Sequence, residues 1–139
     1  MKQYGHHSKP LLFALLSLLI GTVNYWLFQP HILVFAWMGK ASPGPLITLH
    51  PGIIKVIVTG YVADMAWCTA LCFVVLFFNN LKYLNTAGKI IILTVPYLSE
   101  IIQKIGILQG TFDWIDILLY TMIIFVFALF STLFKTPPS

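Results

Sequence analysis

Long apolar segments separated by short polar stretches dominate this sequence. Four of them run over residues 10–29, 53–78, 90–107 and 113–134, each close to the roughly 20 residues that a helix needs to cross a bilayer. Only 9% of the 139 residues are charged, whereas soluble domains carry about 25%. We therefore predict an all-α integral membrane protein, with residues 1–139 forming a single domain and a bundle of about four transmembrane helices.

Prolines and polar-aromatic residues mark the ends of the first segment. Pro10 suits a first helical turn, and the run ends at Asn24, Tyr25 and Trp26 without a signal-peptide cleavage site, so we predict a retained helix. Residues 31–38 are apolar but too short to span, which predicts an interfacial or re-entrant piece. The glycine- and proline-rich stretch that follows, as far as Pro51, predicts a loop.

The lysines predict how the bundle is oriented. With both termini in the cytoplasm, five lysines lie on the cytoplasmic side and three on the other, as the positive-inside rule favours. We therefore expect a multi-pass protein of the bacterial inner membrane with both termini cytoplasmic.

Acidic residues are rare in the chain and concentrated in one part of it. There are four, and three of them (Glu100, Asp113 and Asp116) lie between residues 100 and 120; the fourth, Asp64, lies in the middle of the second predicted span. Carboxylates are costly at membrane depth and usually face a bundle interior, a wet cavity or a partner. The predicted topology brings all four to the outer half of the bundle.

These acids and their polar neighbours at helical spacing are the candidate ligand-binding or polar-core site. The set comprises Asp64, Trp67, Glu100, Gln103, Asp113, Asp116 and Tyr120. Asp64 and Trp67 are three residues apart and share a helical face, as do Asp113, Asp116 and Tyr120.

Each acid also has a structural explanation. Glu100 either pairs with Lys104 one helical turn away or faces the bundle, where it binds a ligand or a proton. Asp113 or Thr111 can cap the fourth helix, which explains one aspartate better than two. For Asp64 the structural alternative is a hydrogen bond to another helix.

Several function classes are not indicated. The basic residues are eight lysines and no arginine, which argues against nucleic-acid recognition. No nucleophile with its base, phosphate-binding loop or metal-ligand spacing is recognisable, so we predict no metal or cofactor and have no indication of an enzyme. Cys68 and Cys72 share a helical face and are expected to be buried small apolar residues.

Three motifs in this order resemble a known family. Gly60, Asp64 and Trp67 form G-x-x-x-D-x-x-W, and Glu100 and Gln103 form E-x-x-Q. The third motif, G-x-F-D-W-x-D-x-x-x-Y, runs from Gly110 to Tyr120. Together they resemble the signature of VanZ-like membrane proteins and of a related family of small bacterial membrane proteins of unknown function. The resemblance covers roughly residues 50–130.

The resemblance implies a role at the cell envelope, since VanZ-like proteins are linked to low-level glycopeptide resistance. Our first hypothesis is a protein that binds a lipid head group or a lipid-linked envelope precursor at the acidic site. The alternative is a structural accessory subunit of a larger membrane protein complex. Membrane lipids are the expected partners in the first case, and other membrane proteins in the second.

The orientation can be tested by labelling cysteines from outside intact cells. With Cys68 and Cys72 removed, a cysteine at Ser42 should react with an impermeant reagent, and one at Asn85 should react only after the cells are permeabilised. If the cysteine at position 85 reacts with the reagent in intact cells, the predicted orientation is wrong.

Overall fold

The computed structural model describes residues 4–28, 45–107 and 112–133. Within these ranges the chain forms helices and loops, and no strand. The helices are α1 (Tyr4–Phe28), α2 (Ile53–Gly60), α3 (Val62–Asn80), α4 (Thr86–Lys104) and α5 (Trp114–Leu133). The predicted all-α class is thus confirmed. The predicted interfacial piece, 31–38, lies outside the described residues.

Three of the helices are long and apolar enough to cross a membrane. They are Ser8–Phe28 within α1, Val62–Asn80, and Trp114–Ser131 within α5. Helix α4, which corresponds to the predicted third span, is not among them, because Lys89, Glu100 and Lys104 lower its hydropathy. The prediction of about four spans is therefore supported for three helices.

The outer surface of the long helices is apolar, as a lipid environment requires. Leu12, Leu15 and Leu19 of α1 and Leu118 and Phe125 of α5 are all exposed on the isolated chain. A contiguous apolar surface of this kind is rare on soluble monomers. In a bilayer it contacts acyl chains.

Three of the four predicted spans differ from the helices that form. The third, predicted over residues 90–107, is α4 at Thr86–Lys104. Helix α1 begins at Tyr4, so Pro10 lies inside it rather than in its first turn. The second predicted span is divided into α2 and α3 at Tyr61, whose φ is −119°. This division places Asp64 in the first turn of α3, not in the middle of a span as expected. A carboxylate there is favoured by the helix dipole.

Helix α4 is capped at both ends. The side chain of Asn85 accepts a hydrogen bond from the backbone of the first turn at 2.8 Å. At the other end Gly106 has a positive φ of 76°. Its N–H donates to the carbonyl of Gln103, and the N–H of Ile107 donates to that of Ile102, the pattern of a Schellman motif. These bonds end α4 before the last acidic motif.

Helix α3 is the centre of the bundle and contacts each of the other four helices described. Its packing against α1 is the most extensive. Most of the buried residues of this pair are small, among them Ala14, Gly21, Ala63, Cys68, Ala70 and Cys72. Helices in lipid gain little from hydrophobic burial, so small side chains that permit close backbone approach favour their association.

Aromatic and polar contacts show how the long helices run relative to one another. Phe13 of α1 stacks on Phe73 of α3 at 5.3 Å between ring centroids, and Phe73 meets Phe127 of α5 at 5.1 Å. Tyr97 of α4 shares a 3.0 Å hydrogen bond with Thr121 of α5. Helix α3 runs antiparallel to α1 and parallel to α5, and α4 runs antiparallel to α5.

This arrangement brings the end of α1, the start of α3, the end of α4 and the start of α5 to one end of the bundle. All four acidic residues lie there, and we call it the acidic end: Asp64, Glu100, Asp113 and Asp116. The predicted convergence of the acids is present. The side of the membrane on which this end lies stays a prediction.

Gly21 provides a test of the α1–α3 contact. A Cβ at Gly21 would lie 2.8 Å from Nε1 of Trp67 and 3.3 Å from the carbonyl oxygen of Ala63. We expect Gly21→Ala to lower thermal stability in detergent, since overpacking costs about 1–3 kcal/mol.

The matched control is Gly60→Ala, because nothing lies within 4 Å of a Cβ at Gly60. Both changes gain about 0.5–1 kcal/mol of helix propensity, so the difference between them isolates the contact. Equal melting temperatures for the two variants would show that α1 and α3 do not approach closely at Gly21.

Candidate functional site

Asp64 is joined to α1 through a tyrosine. The hydroxyl of Tyr25 donates to Oδ1 of Asp64 at 3.1 Å. No other hydrogen bond and no ion pair to Asp64 is formed by the residues that the structure describes, so Oδ2 is free to accept. The carboxylate is therefore positioned, and the described residues supply a partner for one of its two oxygens.

Glu100 is the most deeply buried acid, with 2% of its surface exposed. Its Oε1 accepts from the hydroxyl of Tyr120 at 3.3 Å, and its Oε2 accepts from the backbone N–H of Asp113 at 3.4 Å. Both donors belong to the region of α5, seven residues apart along the chain. Glu100 therefore faces the bundle and ties α4 to α5.

Lys104 does not pair with Glu100. Its ammonium lies 4.8 Å from the ring centroid of Phe112 and 5.6 Å from that of Trp114. Cation–π contacts of this length are favourable. Of the two alternatives for Glu100, the structure thus shows the orientation toward the bundle, and Lys104 instead holds the end of α4 against the start of α5.

Asp113 caps α5 and binds the α2–α3 junction. Its Oδ1 accepts from the N–H of Ile115 at 2.9 Å, which satisfies a free donor of the first turn. Its Oδ2 accepts from the hydroxyl of Tyr61 at 3.0 Å. This bond is the main cause that raises the pKa of Tyr61 above its ordinary value of 10.0, so Tyr61 stays a neutral donor. Thr111, the other predicted cap, lies outside the described residues.

Asp116 is buried beside the other acids. It is 7% exposed, and its Oδ1 has no hydrogen-bond partner within the described ranges. The charges that act on it are those of Asp64, Glu100 and Asp113. Asn24 of α1 likewise has a buried Oδ1 without a partner. The interior of the acidic end thus holds acceptor oxygens that the surrounding side chains do not satisfy.

A cavity of about 260 Å³ adjoins these groups. The residues that line it come from four helices: Tyr25 of α1; Asp64, Trp67, Cys68 and Leu71 of α3; Val95, Pro96, Ser99 and Gln103 of α4; and Tyr120 of α5. Trp67 is 44% exposed, so the cavity reaches the surface of the bundle beside its indole ring.

The structure divides the seven predicted residues into two groups. Asp64, Trp67, Gln103 and Tyr120 line the cavity, whereas Glu100, Asp113 and Asp116 do not. In the second group, Glu100 and Asp113 join helices through hydrogen bonds, and Asp116 is buried beside them.

The sequence interpretation missed two residues of the site. Tyr25 and Asn24 lie in the polar-aromatic stretch that ends the first apolar segment, and we interpreted that stretch as a membrane border. The available signal was the pairing of an amide, Asn24, with a tyrosine, Tyr25, about one helical turn before the end of a span.

The lining of the cavity combines one carboxylate with several neutral polar groups. Asp64 is the single charged residue in its lining, and neutral polar groups are supplied by Gln103, Ser99 and the two tyrosines. The side chain of Gln103 makes no hydrogen bond to the part of the chain that the structure describes, although its backbone carbonyl accepts from the N–H of Gly106. Within the same residues no group of histidine, cysteine, aspartate and glutamate side chains is arranged to hold a metal ion.

Comparison with protein-family models, curated proteins and solved structures gives no match for this chain. The resemblance to VanZ-like proteins therefore stays a prediction that depends on the three sequence motifs.

Glu100 offers a test of the join between α4 and α5. Glu100→Gln keeps a side chain that accepts from the N–H of Asp113 and donates to the oxygen of Tyr120, so we expect near-native thermal stability in detergent. Glu100→Ala leaves buried groups unpaired, which costs about 1–3 kcal/mol.

Ile101→Ala, at an exposed position of the same helix, is the control for truncation as such. A Glu100→Ala variant as stable as this control would exclude Glu100 as the join between the two helices.

Proposed function

We propose that this chain is a VanZ-like protein of the bacterial inner membrane that binds a lipid head group or a lipid-linked envelope precursor in the cavity at its acidic end. Both termini lie in the cytoplasm, so the cavity is open to the outer half of the bilayer. The protein acts by binding, and no bond is made or broken in the ligand.

The observation that carries the proposal is the free oxygen of Asp64 in a cavity that reaches the bundle surface. Oδ1 is held by Tyr25, and Oδ2 has no partner among the described residues. Gln103 and Trp67 border the same cavity with polar atoms that are equally uncommitted. Polar groups at membrane depth that the protein does not satisfy call for water or a ligand.

The height of the cavity in the membrane fits a head group. Trp67 lies five residues after the start of α3, or about 8 Å along the helix axis. The polar layer on each side of the hydrocarbon core is about 5–8 Å thick. A head group that enters beside Trp67 therefore keeps its acyl chains in the hydrocarbon.

A second candidate function is that of an accessory subunit in a membrane complex. Helix α4 favours it, because Ile91, Leu98 and Ile101 are exposed along this helix, although it is not among the helices apolar enough to span alone. A partner helix would cover this stripe. In that case the exposed face of α4, rather than the cavity, is the functional surface.

Native mass spectrometry after purification in mild detergent distinguishes the two functions. We expect the wild-type protein to retain lipid, and Asp64→Asn, which keeps the shape of the side chain and the bond to Tyr25, to retain several-fold less. The matched control is Asp113→Asn, an identical change at the acidic end but outside the cavity, where asparagine is an equally good cap.

Equal lipid retention by both variants and by the wild type would contradict binding in the cavity. A stoichiometric protein partner that is lost when Ile91 and Leu98 are changed to polar residues would instead identify the accessory function.

A further inference from the structure

The charge of the cavity indicates which part of a lipid it recognises. Among the described residues that line it, Asp64 is the single charged one, and none is a lysine. Lys104, a cation at the acidic end, is engaged with the rings of Phe112 and Trp114. The cavity thus offers an anionic group and no cation to balance it.

The surroundings of Asp64 strengthen its preference for a cation. The charge of Glu100 acts on Asp64, and Asp116 interacts with both. Asp116 is more than nine-tenths buried, and its Oδ1 has no partner among the residues that the structure describes. Carboxylates this close together repel one another, and a bound cation offsets that repulsion. An anionic ligand would add to it.

Aromatic side chains border the same space. Trp67, Tyr25 and Tyr120 all line the cavity. Both tyrosine hydroxyls donate to carboxylates, Tyr25 to Asp64 and Tyr120 to Glu100. These bonds hold two aromatic side chains beside the acids. Ammonium groups bind favourably next to aromatic rings, tryptophan above all.

The size of the cavity limits the ligand further. Pockets for drug-sized molecules measure roughly 300–1,000 Å³, and this cavity measures about 260 Å³. It suits a small head group better than a saccharide-bearing precursor.

We propose that the cavity binds the primary ammonium group of a lipid head group, with Oδ2 of Asp64 as its counter-ion and Gln103 as a further acceptor. This inference rests on the proposed function and names the chemical class of its ligand. A primary ammonium group has three N–H donors, so it suits a lining of uncommitted acceptor oxygens better than a quaternary ammonium group does.

The test is competition between lipids of opposite head-group chemistry. The full chain is reconstituted in nanodiscs that contain equal amounts of phosphatidylethanolamine and phosphatidylglycerol, and the retained lipid is measured by native mass spectrometry. We expect phosphatidylethanolamine to be retained over phosphatidylglycerol by about tenfold, the factor that a charge-assisted hydrogen bond supports. Asp64→Asn should reduce this ratio to near one, and Asp113→Asn should leave it unchanged.

A second variant tests the same site by a different change, in case Asp64→Asn fails to fold. Gln103→Lys places a cation in the cavity at a half-buried position near the end of α4, where lysine is a good helix former. It should remove the preference for phosphatidylethanolamine, because its ammonium group occupies the place of the ligand's. A preference that survives in Gln103→Lys and Asp64→Asn would overturn the ammonium site.

Two further outcomes of the lipid competition distinguish failure of the ammonium inference from failure of lipid binding itself. Retention of phosphatidylglycerol over phosphatidylethanolamine, dependent on Asp64, would overturn the ammonium inference and leave lipid binding intact. No specific retention of either lipid would overturn both proposals.

Added ethanolamine is the probe for a free amine. We expect it to displace phosphatidylethanolamine only at concentrations at least tenfold above that of a short-chain phosphatidylethanolamine, and equal potency would show that the ligand is a soluble amine.

Discussion

The buried carboxylate of Glu100 is the interaction on which the acidic end depends. Helix α4 is the least apolar of the long helices, and in lipid it gains little from hydrophobic burial, so hydrogen bonds to its neighbours matter. Glu100 compensates by accepting two hydrogen bonds from the region of α5, from Tyr120 and from the backbone of Asp113. A single side chain thereby positions the end of α4, the start of α5 and one wall of the cavity.

The four acids differ in how far the protein satisfies them. Glu100 and Asp113 accept on both oxygens, so their charges are used to join elements. Among the residues that the structure describes, Asp64 has a partner for one carboxylate oxygen only, and Asp116 has a buried oxygen without a partner. These two acids are therefore less completely satisfied than Glu100 and Asp113, and Asp64 is the one that lines the cavity.

The tyrosines connect the structural acids to the binding space. Tyr61, Tyr25 and Tyr120 each donate to a different carboxylate, from three different parts of the chain. Each tyrosine supplies a neutral donor where a lysine or arginine would neutralise the site. The acidic end is thus held together without the loss of its negative charge, which a cationic ligand requires.

The sequence by itself determined the class of the protein and identified the acidic residues that come together at one end of the bundle. Apolar runs of membrane length allow only helices whose backbone groups are satisfied internally, and the scarcity of acids made Glu100, Asp113, Asp116 and Asp64 conspicuous. The spacing of Asp64 and Trp67 also placed both on one face, which the cavity confirms.

Only the tertiary structure decided which acid is structural and which is free. That distinction depends on donors from distant parts of the chain, such as Tyr25 for Asp64 and Tyr120 for Glu100, and periodicity within one helix carries no information about them. The division of the second segment at Tyr61 could also not be predicted from the sequence, because apolar residues continue on both sides of Tyr61. Helical spacing assigns a residue to a face, whereas the partner across that face is determined by packing.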